Sequence, residues 1–457
     1  MRVAEAQTPN PRAFIALLAL VVLPVLAFAL ARNSGMESLV RLAAMGVVAV
    51  VAGVAFFVRP RYGIYFLAFY VYAGLNFYTR GTPAALALTA LIFAGALVQM
   101  SRGQRWRLTD PAFLISAGVF TLMGLHSMLW ARDIAPAIDS YSKYLKAMLV
   151  VCMVVQTVRT SRHLEWLGRW IFFGAVATVF LGLANHALGI DTEVNLLGGV
   201  QAIRFAGAHA NPNFAAAAMT TSVPLGVYVA RRASGTLYRV LAILGVLIVV
   251  GAIFATYSRQ ALFAIAFVAV AVLFREVRSR KAYVAIFAAI VAAILVTPQY
   301  YWVRFWTITE ILDGVQQDWS IYQRMMALGR AWEMFKEHPI FGVGLRNFSV
   351  RSGDVMYLRI PSHNIYLEIA CAVGVFGLIA YLSMFYAGIR QLLAGMKERW
   401  QGQDERLKDL SFYFLVSVIS ALISGMFANI EFRYFTWLPL CAGLVVANLR
   451  RDLRATR

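Results

Sequence analysis

The chain has 457 residues, 61% of them hydrophobic and 14% charged, against roughly 45–50% and about 25% in soluble domains. That excess excludes a soluble globular protein. The net charge of +20 would point to nucleic acid in a soluble chain. Here the basic residues sit in short loops between apolar runs, so no nucleic-acid partner is expected.

Apolar runs recur from residue 13 onward. In hydrocarbon each backbone amide must be satisfied within its own segment, so these runs read as helices. The expected class is an all-α polytopic membrane protein. Arg2 and Arg12 precede the run Ala13 to Ala31, which is too long for a signal-peptide core and reads as an uncleaved first span. Spans follow near 39–58, 62–79, 83–100, 111–130, 144–158, 166–186, 212–230, 238–257, 260–274, 282–297, 363–388, 411–428 and 436–449. That makes about 14, or 12 if the short runs 144–158 and 260–274 do not cross. As one helix, Val240 to Phe274 would be about 52 Å long, too much for a ~30 Å hydrocarbon core. It reads as two antiparallel helices with Arg259 at the turn.

Basic residues number 26 on the proposed inner side and 16 on the outer, seven of the latter in the single long loop 298–362. The positive-inside rule then makes both termini cytoplasmic and the loop external, which in a bacterium is the periplasm. Three regions result: N-terminal spans 1–297, the loop 298–362, and C-terminal spans 363–457. Cys152, Cys371 and Cys441 each lie in an apolar run without CxxC or His/Cys spacing, so neither a disulfide framework nor a zinc site is indicated.

The polar residues on the outer side carry the chemistry. Asn211 and Pro212 are start signals for the next span, and Arg204 and His209 precede them. Arg259 either snorkels to the interface or serves a site. In the loop, Ile321, Met325, Leu328, Trp332 and Phe335 form an apolar stripe, so this amphipathic helix can lie on the outer leaflet with Arg324 at its flank. A turn-like segment, Phe341 to Phe348, contains Arg346. His363 stands at a helix start that Ser362 or Asn364 can cap, where the helix dipole favours a neutral imidazole and a nearby phosphate. Glu368 is either its partner or a polar residue facing the bundle. Ala370, Gly374 and Gly377 read as a small-residue face for helix packing. Guanidinium groups bind phosphate bidentately at any relevant pH. Arg204, Arg259, Arg324 and Arg346 around one histidine therefore suggest a phosphorylated lipid substrate and a proton taken from the other reactant. No outer loop shows a DxD or HExxH pattern. Arginine is expected to replace the metal, and no cofactor is expected.

Arg204, Asn211-Pro-Asn-Phe214, Thr256-Tyr-Ser-Arg259, Tyr322-Gln-Arg-Met325, His338-Pro-Ile-Phe-Gly-Val-Gly344, Asn347-Phe348 and His363-Asn-Ile-Tyr-Leu-Glu-Ile369 together resemble the O-antigen ligase family. Its wider superfamily includes O-antigen polymerases and protein O-oligosaccharyltransferases. The resemblance implies a GT-C-like membrane glycosyltransferase of the bacterial inner membrane. It implies a metal-independent, inverting transfer from O-antigen on undecaprenyl diphosphate to lipid A–core. His363, Arg259 and Arg324 would be catalytic. Arg204, Arg346, His209, Asn364 and Tyr366 would contact diphosphate or glycan. Protein O-oligosaccharyltransferases often carry extra sequence after the late spans. This chain stops at Arg457, which favours the lipopolysaccharide ligase. An O-antigen polymerase shares the donor and is not separated by these motifs. A transporter would place ionisable groups at the bilayer midplane and show inverted repeats, which are not evident. The oligomeric state is not legible.

Overall fold

The structure is a computed structural model that describes residues 53–75, 84–101, 106–107, 110–188, 193–197, 200–209, 211–276, 319–356, 359–400 and 402–456. The expected spans 13–31 and 282–297, and most of 39–58, lie outside these residues. The described chain is helical apart from one hairpin. Its helices are α1 (Pro60–Tyr72), α2 (Ala84–Ser101), α3 (Pro111–Ser127), α4 (Ile134–Thr157) and α5 (Ser161–Ala187), followed by α6 (Pro212–Arg232), α7 (Thr236–Ala255) and α8 (Arg259–Glu276). The loop holds α9 (Trp319–Glu337) and α10 (Asn347–Met356). The chain finishes with α11 (Ile365–Lys397), α12 (Arg406–Gly425) and α13 (Tyr434–Thr456). Among the described residues, five helices are long and apolar enough to cross a membrane: Pro111–Trp130, Ser161–Ala187, Thr236–Ala255, Ile365–Lys397 and Arg406–Gly425. The chain is a multi-pass helical membrane protein.

Helix starts follow local capping chemistry. Asp110 accepts from the Ala112 amide ahead of α3, Asp133 from Ala135 ahead of α4, and Thr160 from His163 ahead of α5. Asn211 and Pro212 open α6 as expected. The two short runs become full helices. The segment read as 144–158 starts at Ile134, because Asp133 caps it there and Ser140, Tyr141 and Tyr144 face the core. Asn347 binds the backbone at the start of α4, and Gln156 near its end binds that of Arg107, so α4 runs the depth of the bundle. α8 does the same, from Gln260 on Asn213 to Arg275 on Asp409.

The two ends differ in chemistry. At one end Asp110 pairs with Arg390 at 2.9 Å, Glu398 with Arg450 at 2.9 Å, Asp409 with Arg232 and Arg275 at 2.7 and 2.8 Å, and Glu276 with Arg231 at 2.7 Å. The other end gathers the residues singled out in the sequence. Between the ends lies an aromatic core in which Phe120 and Tyr144 rings lie 4.8 Å apart, Phe120 and Tyr381 5.8 Å, and Phe385 and Trp437 5.1 Å. Pairs of this kind add about 0.5–1.5 kcal/mol beyond the area they bury. Tyr381 Oη and Trp437 Nε1 both donate to the carbonyl of Glu431, so their polar tips are satisfied.

The hairpin pairs β1 (Glu193–Leu197) with β2 (Val200–Arg204) antiparallel, in a register that sets Glu193 opposite Arg204. It lies in the link between α5 and α6. Val194, Val200 and Ile203 are the β-branched residues that suit it.

Candidate active site

His363 sits just before α11, with a left-handed φ of 55°. Asn364, the next residue, caps the helix: its Oδ1 accepts from the amides of Tyr366 and Leu367 at 2.9 and 3.0 Å. Its Nδ2 donates to the carbonyl of Met426, and Tyr366 Oη donates to that of Leu422. Asn364 and Tyr366 thus fasten the start of α11 to the end of α12. The His363 amide donates to Asn429 Oδ1 at 2.9 Å. The pKa of His363 is lowered from 6.5 to about 4, first by burial and then by the charge of Arg324. The imidazole is therefore neutral at ordinary pH, with a guanidinium close by.

Arg324 is delivered by α9. This helix docks through Ala327, Ala331 and Met334, which pack with Val343, Phe348 and Cys371. Cys371 Sγ also donates to the carbonyl of Ala331. The small residues let α9 approach closely. Met325 and Trp332, members of the expected stripe, are 52% and 51% exposed and turn away from the protein. The side chain of Ile321 lies outside the described set.

The segment His338 to Gly344 is inserted into a break in α11. Gly374 has φ 72° and ψ −174° within that helix. The Val343 and Gly344 amides donate to the carbonyls of Cys371 and Ala372 at 2.8 and 3.0 Å, and the Val375 amide donates to that of Pro339 at 2.8 Å. A Cβ on Gly374 would stand 1.9 Å from the Ile340 carbonyl oxygen. The reading of Ala370, Gly374 and Gly377 as a helix-packing face is therefore corrected at Gly374. That glycine opens the helix so that loop backbone can bond to it. Arg346, at φ 58°, follows this segment, and its charge acts on Glu431. Asn347 then locks the turn to α4, accepting from the Asp133 amide and donating to its carbonyl.

Arg259 begins α8 after a turn in which Tyr257 has φ 49°. Arg204 braces that turn. Its Nε donates to the Thr256 carbonyl at 3.0 Å and its Nη2 to Asn213 Oδ1 at 3.1 Å. Ser258 Oγ donates to the same Asn213 oxygen, and Gln260 Nε2 donates to the Asn213 carbonyl. His209 lies in the loop packed on the end of α1, where a Cβ on Gly74 would meet Ala208. Its pKa is lowered to about 4, chiefly by burial, with Arg433 adding to the effect.

Sequence reasoning missed the turn between α12 and α13, Met426 to Arg433. It ties α8 to the start of α11. Phe427 stacks on Phe263 of α8 at 5.3 Å, and Asn429 holds His363. The Arg433 guanidinium lies 4.2 Å from the Phe214 ring. Glu431 is buried, and its pKa is raised first by burial and then by Glu368. The available signal was an Asn, a Glu and an Arg crowded into a short link between two apolar spans. Among the described residues, no group of three or more His, Cys, Asp or Glu side chains is placed to hold a metal ion.

Residues 244–382 match the sequence model of a family described as O-antigen ligase. The resemblance is shown over this segment, which contains Arg259, Arg324, Arg346, His363, Asn364 and Tyr366. Arg204, His209 and the 426–433 turn lie outside it. No curated protein matches the chain.

Proposed function

From the match of residues 244–382 to the O-antigen ligase family, we propose that the protein is a membrane glycosyltransferase. It transfers O-antigen glycan from undecaprenyl diphosphate to lipid A–core, at the periplasmic face of the bacterial inner membrane. Both termini are cytoplasmic, and about 14 spans support the site. The observation that carries the reading is the half-buried His363 at a helix start, its pKa lowered by burial and by the charge of Arg324.

In this mechanism the imidazole of His363 accepts the proton of a core-sugar hydroxyl as its oxygen attacks the anomeric carbon. The bond from that carbon to the donor phosphate breaks on the opposite face, so configuration inverts. The diphosphate leaves with the bonding electron pair. Arg259 and Arg324 stabilise the growing charge, and Arg346 adds positive charge from the loop. The donor's own charge assists the base. A diphosphate bound at Arg324 offsets the positive charge that depresses the pKa of His363, so the base strengthens when donor is present. Arg204 supports this site by bracing the turn that presents Arg259. His209, Asn364 and Tyr366 shape its wall. The exposed apolar side of α9 borders the lipid access route.

A deletion strain tests the reading. Ligase function predicts lipid A–core without O-antigen, restored by the wild-type gene and not by His363→Ala. Core capped with a single repeat unit would identify the polymerase instead. Restoration by His363→Ala would end the catalytic assignment. Chelators should leave transfer by the purified protein unchanged, and inhibition reversed by Mg²⁺ would overturn the metal-independent step.

A further inference from the structure

His363 has a left-handed φ of 55°, which is uncommon for a non-glycine residue, and its backbone is held from outside its own helix. The His363 amide donates to Asn429 Oδ1 at 2.9 Å. Asn429 Nδ2 donates in turn to Glu368 Oε2 at 3.2 Å. The same carboxylate oxygen accepts from Ser362 Oγ at 2.7 Å and from the Ser362 amide at 3.2 Å. Glu368 is 2% exposed. Water therefore competes poorly at the Ser362–Glu368 bonds, and Asn429 is tied to both this buried carboxylate and the His363 amide. The residues come from two separate places: Ser362, His363 and Glu368 flank the start of α11, whereas Asn429 comes from the α12–α13 turn.

We infer that Asn429 is a positioning residue for His363, and that Glu368 is the buried anchor that orients the Asn429 amide. The inference rests on the reading of His363 as the proton acceptor. Asn429 touches the backbone of His363 rather than a substrate. It sets the direction in which the imidazole leaves the chain, and the Glu368 bond selects which end of the Asn429 amide faces His363. Glu368 Oε2 bonds to Ser362 and Asn429, and none of these bonds reaches the His363 side chain. Its role is to hold Ser362 and Asn429 on either side of the base. An error of about 1 Å in placing a reacting group can cost on the order of 100-fold in rate. Loss of this bond therefore acts on turnover more than on donor binding.

The test uses full-length protein in lipid nanodiscs, with undecaprenyl-diphosphate-linked glycan and lipid A–core as substrates. Wild type, His363→Ala, Asn429→Ala, Asn429→Asp and the His363→Ala/Asn429→Ala double variant are compared by kcat and donor KM between pH 5.5 and 8. Asn429→Ala is expected to lower kcat roughly 10- to 100-fold, with donor KM within about twofold of wild type. The double variant should be no slower than His363→Ala alone. Asn429→Asp keeps an acceptor for the His363 amide but sets a second carboxylate against Glu368. Its kcat relative to wild type should rise as pH falls and the two carboxylates come to share a proton. Asn429→Ala should show no such rise. Wild-type kcat in Asn429→Ala with an inactive His363→Ala would overturn this inference alone. So would a pH dependence of Asn429→Asp that parallels Asn429→Ala. An active His363→Ala would overturn the reading of His363 and this inference with it.

Discussion

Arg204 carries the same guanidinium as Arg259, but it is 7% exposed, with Nε on Thr256 and Nη2 on Asn213. A lysine could not make both bonds from one planar fork. Arg204→Lys is expected to lower stability by about 1–3 kcal/mol, as a buried partner loses its bond, and this is read as a fall in Tm in detergent. Arg259→Lys should leave Tm near wild type and reduce turnover about 100-fold, the scale of a lost charge-stabilising donor. A normal rate in Arg259→Lys would return that residue to the snorkelling reading. On the proposed mechanism, activity requires the neutral imidazole of His363, whose pKa is lowered to about 4. The acidic limb of kcat/KM, which reports the free protein, is expected near pH 4 rather than 6.5. The stability consequence has a definite sign. Between the ordinary value of 6.5 and about 4, the unfolded chain binds more protons at His363 and His209 than the native one. Stability therefore falls as pH drops through that window. Chemical denaturation at pH 7 and pH 5 measures it, and an unchanged midpoint would contradict the burial of these rings.

At the scale of elements, Gly374 decides how loop and span are joined. Any side chain there meets the Ile340 carbonyl and must also adopt a left-handed φ. Gly374→Ala is expected to expel the 338–344 segment, with the loss of three backbone hydrogen bonds. The cost should reach at least about 2 kcal/mol, since strained φ alone costs of order 1–3. Proteolysis between α9 and α10 should accelerate, and transfer activity should fall because α9 carries Arg324. A protease pattern like that of the wild type would show that the break is not needed. The same join explains why hydropathy alone read the 363–388 run as one uninterrupted span. Its residues are apolar on both sides of the glycine, and nothing local marks where the helix opens. The exposed apolar side of α9 was readable from its spacing. Its docking side was less so, because alanines at 327 and 331 carry little hydropathic signal.

Over the whole molecule, the end remote from the site is laced by arginine–carboxylate pairs. Asp409 there holds Arg232 and Arg275. Asp409→Ala should cost roughly 1–3 kcal/mol, less than the 3–5 of a fully buried pair, because the Arg232 and Arg275 side chains are 43% and 25% exposed. It should lower Tm while leaving kcat and donor KM unchanged. A catalytic defect of the same size would mean that the two ends are mechanically linked. Much of this architecture was legible in the chain. The apolar runs marked most of the described membrane helices, and the Asn-Pro and Ser-His-Asn starts marked the beginnings of α6 and α11. What was not legible depends on long-range packing. Asn213 and Asn429 each hold residues far away in the sequence, and a lone asparagine between spans carries no hint of which backbone it will meet. Arg204 was read as a possible anion contact because its charge is visible in the sequence and its burial is not.

The inserted segment also bears on how such proteins can be recombined. Residues 338–344 exchange three backbone hydrogen bonds with 371–375, across the boundary where the long loop becomes a span. A graft that exchanged the loop with that of a relative and stopped at residue 362 would separate donors from their acceptors. The transplantable cassette extends past Gly374, so the loop has to be moved together with a piece of the membrane helix.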